Sequence, residues 1–215
     1  MDRPLRVAAL ASGRGSNLAA LLAARDAGRL PVEFTLVGSD KKQAGALAIA
    51  AAAGIPTVAL NPKDYATRAE FDRALFGRVA DSGADLLVLA GYMRVVDAAV
   101  VAPWEGRAIN VHPSLLPKYR GLHTHRRCLE AGDSEHGASV HFVTAELDGG
   151  PVIAQARIPV HPGDTEDDLA ARLLVEEHKL LPAVVGAIAA GRLRWHGGPW
   201  FDGAPLKAPL SLAAL

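Results

Sequence analysis

The chain has one cysteine, Cys128, among its 215 residues, which excludes an internal disulfide framework and suits a reducing compartment. Aromatic residues are scarce, at 5%. No apolar run approaches the roughly 20 residues a membrane-spanning helix needs, and the alanine-rich Ala44–Ala53 is too short and too weakly apolar to insert. Net charge is missing as well: 23 Lys and Arg balance 23 Asp and Glu, so no overall field recruits nucleic acid or an anionic membrane. The opening Met1-Asp2-Arg3-Pro4 lacks the basic region, apolar core and cleavage site of a signal peptide, and the expectation is a cytoplasmic protein.

What is present is an ordinary α/β composition, half hydrophobic and dominated by Ala, Leu, Val and Gly, of a length that suits one domain over residues 1–215. Short apolar runs at Arg6–Ala11, Phe34–Gly38, Thr57–Leu60 and Asp85–Ala90 read as buried strands. Helical patterns from Leu18, over Ala44–Ala53 and over 66–81 separate them. That alternation predicts a mostly parallel central sheet with right-handed crossovers and helices on both faces, a Rossmann-like fold. Ser139–Val143 and Val152–Val160 read as an antiparallel hairpin toward the C-terminus, followed by a long helix capped by Thr165. Beyond Gly191 the prolines and tryptophans suggest an irregular surface tail.

The first strand runs into Gly13-Arg14-Gly15-Ser16-Asn17, a glycine-rich turn feeding a helix, with Ser16 as its expected N-cap. Free N–H groups and the helix dipole make such a turn a phosphate cradle at Gly15, Ser16 and Asn17. The dinucleotide fingerprint is incomplete, because Leu18 stands where its third glycine is expected; Asp40, after the second strand, keeps a ribose-binding acid in view.

The chemistry concentrates at Ile109-Asn110-Val111-His112-Pro113. Side chains alternate along a strand, so Asn110 and His112 share a face, and Pro113 ends the ladder just after them. An amide that can donate to an oxyanion beside an imidazole that can carry a proton suits acyl-type transfer. Downstream, Asp148-Gly149 is a turn signal, and Asp148 is also a candidate carboxylate facing His112, raising its pKa and fixing its tautomer. The proline-rich loop after His112 makes Leu116-Pro117 a candidate cis bond. His123 and His125 lack a third ligand at useful spacing, so no metal site is expected. Glu177 falls inside the apolar stripe of the last helix, where a carboxylate is costly unless paired or opening into a site, and it could hold a substrate ammonium.

Together, Ser12-Gly13-Arg14-Gly15-Ser16-Asn17-Leu18, Leu89–Arg94, Ile109–Tyr119, Gly121–His125 and Glu146–Pro151 resemble the phosphoribosylglycinamide formyltransferase family of folate-dependent enzymes in purine synthesis. The likeness runs from about Val7 to Trp200. The resemblance implies formyl transfer from 10-formyltetrahydrofolate, a co-substrate, to the amine of glycinamide ribonucleotide, with no metal. It implies Asn110, His112 and Asp148 as the catalytic set. Gly15, Ser16 and Asn17 would hold the substrate phosphate, and Glu177 the glycine amine end. Arg68, Met93, Arg94, Val95, Val96, Asn110 and the loop Thr144, Ala145, Glu146, Leu147 and Asp148 would receive the folate. The N-terminal half would thus bind phosphate, and the C-terminal half would bind folate and catalyse. Partners would be small molecules only, with no nucleic acid or membrane, the chain acting as a monomer or homodimer. Two departures stand out: Arg120 replaces an expected proline, and Ala145 sits where an acid is common. A tRNA-directed formyltransferase would need a further domain, a formyl-folate hydrolase would not need the phosphate loop, and a nicotinamide oxidoreductase would use Asp40 instead.

Overall fold

The computed structural model describes residues 3–215; Met1 and Asp2, on which the reading of a missing leader partly rests, lie outside the described residues. Five parallel strands form first: β1 (Leu5–Leu10), β2 (Val32–Ser39), β3 (Thr57–Ala59), β4 (Leu86–Leu89) and β5 (Ala108–His112). They alternate with α1 (Ser16–Asp26), α2 (Gly45–Ala52), α3 (Arg68–Asp81) and the single turn α4 (Ala98–Val101). After α5 (Thr124–Glu130) come β6 (Glu135–Phe142) and β7 (Val152–Pro159), each antiparallel to the strand before it, and then the long α6 (Glu166–Ala189). The expected hairpin is therefore present, with β6 starting four residues earlier than its apolar alternation suggests. Its first residues include Gly137, where a Cβ would strike the Ala156 carbonyl, so this glycine lets β7 pair closely.

Spatial order in the main sheet is β11-β7-β6-β5-β4-β1-β2-β3, where β11 is Leu210–Ser211. The chain winds outward from β1 to β3, then returns to lay β4 on the other side of β1. Such a reversal opens a crevice outside the carboxyl ends of the two strands. Alternation along the strands separates two cores. Val7, Ala9, Val88, Ile109 and Val111 pack with Leu18, Leu21, Leu173 and Leu180 on one face. Ala8, Leu10, Leu87 and Ala108 pack with Phe71, Leu75 and Trp104 on the other. Asn110 and His112 therefore point away from Ile109 and Val111, as expected.

The stretch after Gly191 corrects the sequence reading. It is not irregular: β8 (Leu193–Trp195), β9 (Pro199–Phe201) and β10 (Ala204–Pro205) form a small antiparallel sheet, and β11 extends the main one. Trp195 stacks edge-on against Phe142 at 4.8 Å, and Arg192 ties Asp202 to the final turn through the Ala214 and Leu215 carbonyls. Strands this short carry too little periodicity to be read from sequence. Among the described residues no helix is long and apolar enough to cross a membrane.

Candidate active site

The turn after β1 reaches the crevice first. Gly15, not Ser16, is the N-cap of α1; it lies in the left-handed region at φ 84°, and no side chain caps the helix. That correction strengthens the cradle, because the first-turn N–H groups keep no internal acceptor. A Cβ at Gly15 would sit 2.6 Å from Ala46 Cα, so sterics and φ both demand glycine. Asn17, the second residue of α1, is buried and donates its Nδ2 to Glu177 Oε2 at 2.9 Å. Gly13 to Asn17 and Glu177 line one cleft together with Gly91, Met93 and His125. Burial pushes the Glu177 carboxyl up, and the Asn17 amide pulls it partly back. Its partner is a neutral amide, and among the described residues no cation pairs with it.

The second half of the crevice gathers around β5. His112, 6% exposed, holds Nδ1 3.4 Å from Asp148 Oδ2, within ion-pair reach but longer than a formed hydrogen bond. Its Nε2 lies 3.0 Å from the Tyr119 carbonyl, which only accepts, so Nε2 carries a proton. The bare Nδ1 of the neutral ring then faces a carboxylate. Burial nevertheless dominates and lowers the His112 pKa, against the upward push of the Tyr119 carbonyl and Asp148. This corrects the expectation that Asp148 sets the net shift: it opposes the shift without reversing it.

Asp148 itself sits at φ 48°, a left-handed conformation that aspartate tolerates better than most residues. Turn chemistry and a functional carboxylate therefore coincide in one residue. Burial works to raise its pKa, but His141, the Gly121 N–H at 2.9 Å and His112 together hold it below the ordinary range.

Asn110 is anchored through β6, whose register sets His141 opposite it. The buried His141 ring gives Nδ1–H to the Phe142 carbonyl at 2.9 Å, which leaves Nε2 to accept from Asn110 Nδ2 at 3.1 Å. His141 Nε2 also stands 3.6 Å from Asp148 Oδ1. Asn110, His112, His141 and Asp148 form one contiguous polar cluster at the end of two strands and a turn.

Beside that cluster lies a cleft with apolar walls at Leu89, Val96, Val101 and Val143 and a rim formed by the Thr144–Asp148 loop. Arg94 enters it with its guanidinium 4.9 Å over the Phe71 ring and its Nε buried without a partner. Apolar walls with unpaired donors and acceptors at the edge suit a flat, hydrogen-bonding heteroaromatic group.

A model of the formyl transferase family matches residues 5–185. The chain belongs to that family. It is 47% identical over 200 residues to the phosphoribosylglycinamide formyltransferase of Escherichia coli K12, which covers 93% of this chain and 94% of that protein. The solved phosphoribosylglycinamide formyltransferase of Coxiella burnetii superposes with a TM-score of 0.92 at 43% identity, covering 97% and 99% of the two chains. Glycinamide ribonucleotide transformylase 1 of Symbiobacterium toebii gives 0.88 at 42% identity, covering 92% and 93%. The fold is the formyltransferase fold, and the chain is a transferase.

Within this formyltransferase, most of the expected residues meet in the two clefts. Arg94, Val95, Val96, Asn110 and Thr144 to Asp148 share the apolar one. Met93 does not line it; it is 69% exposed and lines the phosphate-side cleft, its N–H held by Ser12 Oγ. Arg68 lines neither, standing exposed at the first position of α3. Leu116-Pro117 is cis. His125 pairs with His136 at 3.0 Å, and among the described residues no group of three His, Cys, Asp or Glu side chains is arranged to hold a metal ion. Sequence reasoning missed His141, the Tyr119 carbonyl and the Gly121 N–H. A histidine in the apolar strand pattern Ser139–Val143 was the available signal for the first; the other two are backbone groups that any residue could supply.

Proposed function

We propose that the chain transfers the formyl group of 10-formyltetrahydrofolate to the primary amine of glycinamide ribonucleotide, in the cytoplasm, as a step of purine synthesis. The observation that carries the reading is the convergence of Asn110, His112 and Asp148 between an apolar cleft and a phosphate cradle. Arg94, Val95 and Val96 with the Thr144–Asp148 loop would hold the folate, which supplies the electrophilic formyl carbon. Gly15, Ser16 and Asn17 would hold the ribonucleotide phosphate, and Glu177 the end bearing the amine. In this single domain the N-terminal half supplies the phosphate cradle, the C-terminal half supplies the catalytic residues, and each cleft draws on both halves.

A new C–N bond forms at the formyl carbon, the old one breaks, and negative charge collects on the formyl oxygen in between. Fixed donors aimed at that oxygen stabilise it. Asn110 has one amide N–H committed to His141 and a second free to donate. His112 offers its Nε2–H, which the Tyr119 carbonyl accepts in the free protein. The attacking amine loses one proton and the leaving nitrogen gains one, so His112 relays a proton with no net change in its own charge. Neutral at rest because it is buried, it can take that proton; with Asp148 beside Nδ1, the imidazolium is stabilised once formed.

The test follows deformylated folate spectroscopically, with and without glycinamide ribonucleotide. Release that requires the ribonucleotide is expected. Equal release in its absence would mean a hydrolase.

A further inference from the structure

A third cavity opens where β1, β2 and β3 end, on the far side of the Gly13–Gly15 turn from the phosphate cradle. Each strand end gives it a cation: Arg14 after β1, Lys41 and Lys42 after β2, and Lys63 after β3. All four are exposed, and none forms an ion pair among the described residues. The turns that carry them are fixed: Ser39 Oγ accepts from the Lys41 N–H at 3.0 Å, and Asn61 Oδ1 from the Lys63 N–H at 3.1 Å.

The same cavity is lined by Asp40, only 7% exposed, whose Oδ1 has no hydrogen-bond partner. Buried carboxylates normally find donors. Asp72, also buried, accepts from the Asp97 N–H, and Glu177 accepts from Asn17. Asp40 is thus short of a donor inside a cationic cavity. A funnel that merely attracts anions gains nothing from a carboxylate, which weakens the attraction. The combination fits a ligand that brings hydroxyl donors and negative charge together. In doubly wound sheets an acid at the end of the second strand commonly accepts from a ribose diol. Four cations less one carboxylate leave an excess that a single phosphate, about −1.5 to −2, does not balance and a diphosphate does.

We infer that this cavity is a second ligand site that takes a nucleoside diphosphate. Asp40 accepts from the ribose hydroxyls, and Arg14, Lys41, Lys42 and Lys63 hold the diphosphate. The site is separate from the formyl-transfer crevice, sharing with it only the Gly13–Arg14 wall.

The experiment is calorimetric titration of the intact protein with ADP, GDP, CDP and UDP, read without turnover so that it stands apart from the catalytic assignment. At least one is expected to bind with a stoichiometry of one. Its 2′,3′-dideoxy counterpart should bind about tenfold more weakly, the loss of hydrogen bonds to a charged acceptor, and Asp40→Asn should largely erase that difference. Combined Lys41→Ala, Lys42→Ala and Lys63→Ala, all on the surface, should weaken binding by about tenfold or more and flatten its salt dependence. Glu177→Gln should leave it unchanged. Absence of binding by all four at millimolar concentration overturns the inference. So does pyrophosphate or the dideoxy compound binding as tightly as the ribonucleotide, which would mean a bare cationic patch. A loss with Glu177→Gln matching that of the lysine variant would put the ligand in the neighbouring cleft, and the inference would fall.

Discussion

The phosphate side of the crevice is made chiefly of backbone, whereas the formyl side is made of side chains that hold one another. At the first, one left-handed glycine and an uncapped helix start present the binding groups, and a single buried pair, Asn17 with Glu177, braces them. At the second, His112, Asp148, Asn110 and His141 come from β5, β6 and a turn between β6 and β7, and each is oriented by the next. A backbone site fails when the chain cannot adopt its shape. A side-chain network fails when any one member loses charge or direction, and its members are expected to act non-additively.

The sharpest test of the second design is Asp148→Asn, which keeps size and removes charge. Turnover is expected to fall by roughly 10²-fold or more, because the imidazolium loses its partner and the donor set its orientation. Measured by NMR titration, the His112 pKa should fall further below its already lowered value, since the carboxylate is one of the groups pushing it up. Unchanged turnover would break the comparison.

Gly15→Ala is the corresponding test of the backbone design. The added Cβ meets Ala46 and the residue must hold φ 84°, a strain of roughly 1–3 kcal/mol. The expected result is a KM for the ribonucleotide raised about tenfold or more, with the KM for folate moving little and the melting temperature lower. A rise in both KM values together would show that the two sides are not independent.

His141→Leu removes the acceptor for Asn110 and should lower kcat about tenfold, the worth of one buried hydrogen bond. His141→Gln, which can still accept, should recover part of the loss. Its effect should fall on kcat rather than on either KM, because His141 directs a donor that matters when charge develops.

The same contrast explains what could be read from the residues alone. The cradle is contiguous in sequence, Gly13 to Asn17, so its turn, helix and anion affinity follow from local rules. Period-two alternation gave the shared face of Asn110 and His112, and the βαβ rhythm gave the parallel sheet. The Asp148–His112 pairing needs β5, β6 and β7 in register, which no spacing along the chain encodes; the residues alone made Asp148 a candidate, and the resemblance put it in the catalytic set. The net direction of the His112 shift could not be read at all, because it depends on burial outweighing a charge 3.4 Å away. The N-cap was assigned to Ser16 on preference, yet a glycine in the left-handed region took the position because Ala46 crowds it. The last strands escaped because two- and three-residue pairings leave no pattern.

The last expected effect concerns stability rather than turnover and links the two sides through their buried histidines. His136 is 1% exposed, and its pKa is lowered from 6.5 to about 4, first by burial and then by the nearby His125, with Asp133 opposing. His125, also lowered by burial, lines the phosphate-side cleft. Between about pH 6.5 and about 4 the unfolded chain binds a proton at this position that the folded chain refuses. Stability therefore falls as pH drops through that window, by up to about 1.4 kcal/mol per pH unit for each such proton, and this contribution levels off below it. Thermal melts between pH 7 and pH 4 should show the decline. His136→Gln, which can still meet the His125 nitrogen at 3.0 Å but does not titrate, should flatten it. If the slope is unaltered in that variant, the acid sensitivity lies elsewhere, and His112 on the formyl side, lowered for the same reason, is the next position to replace.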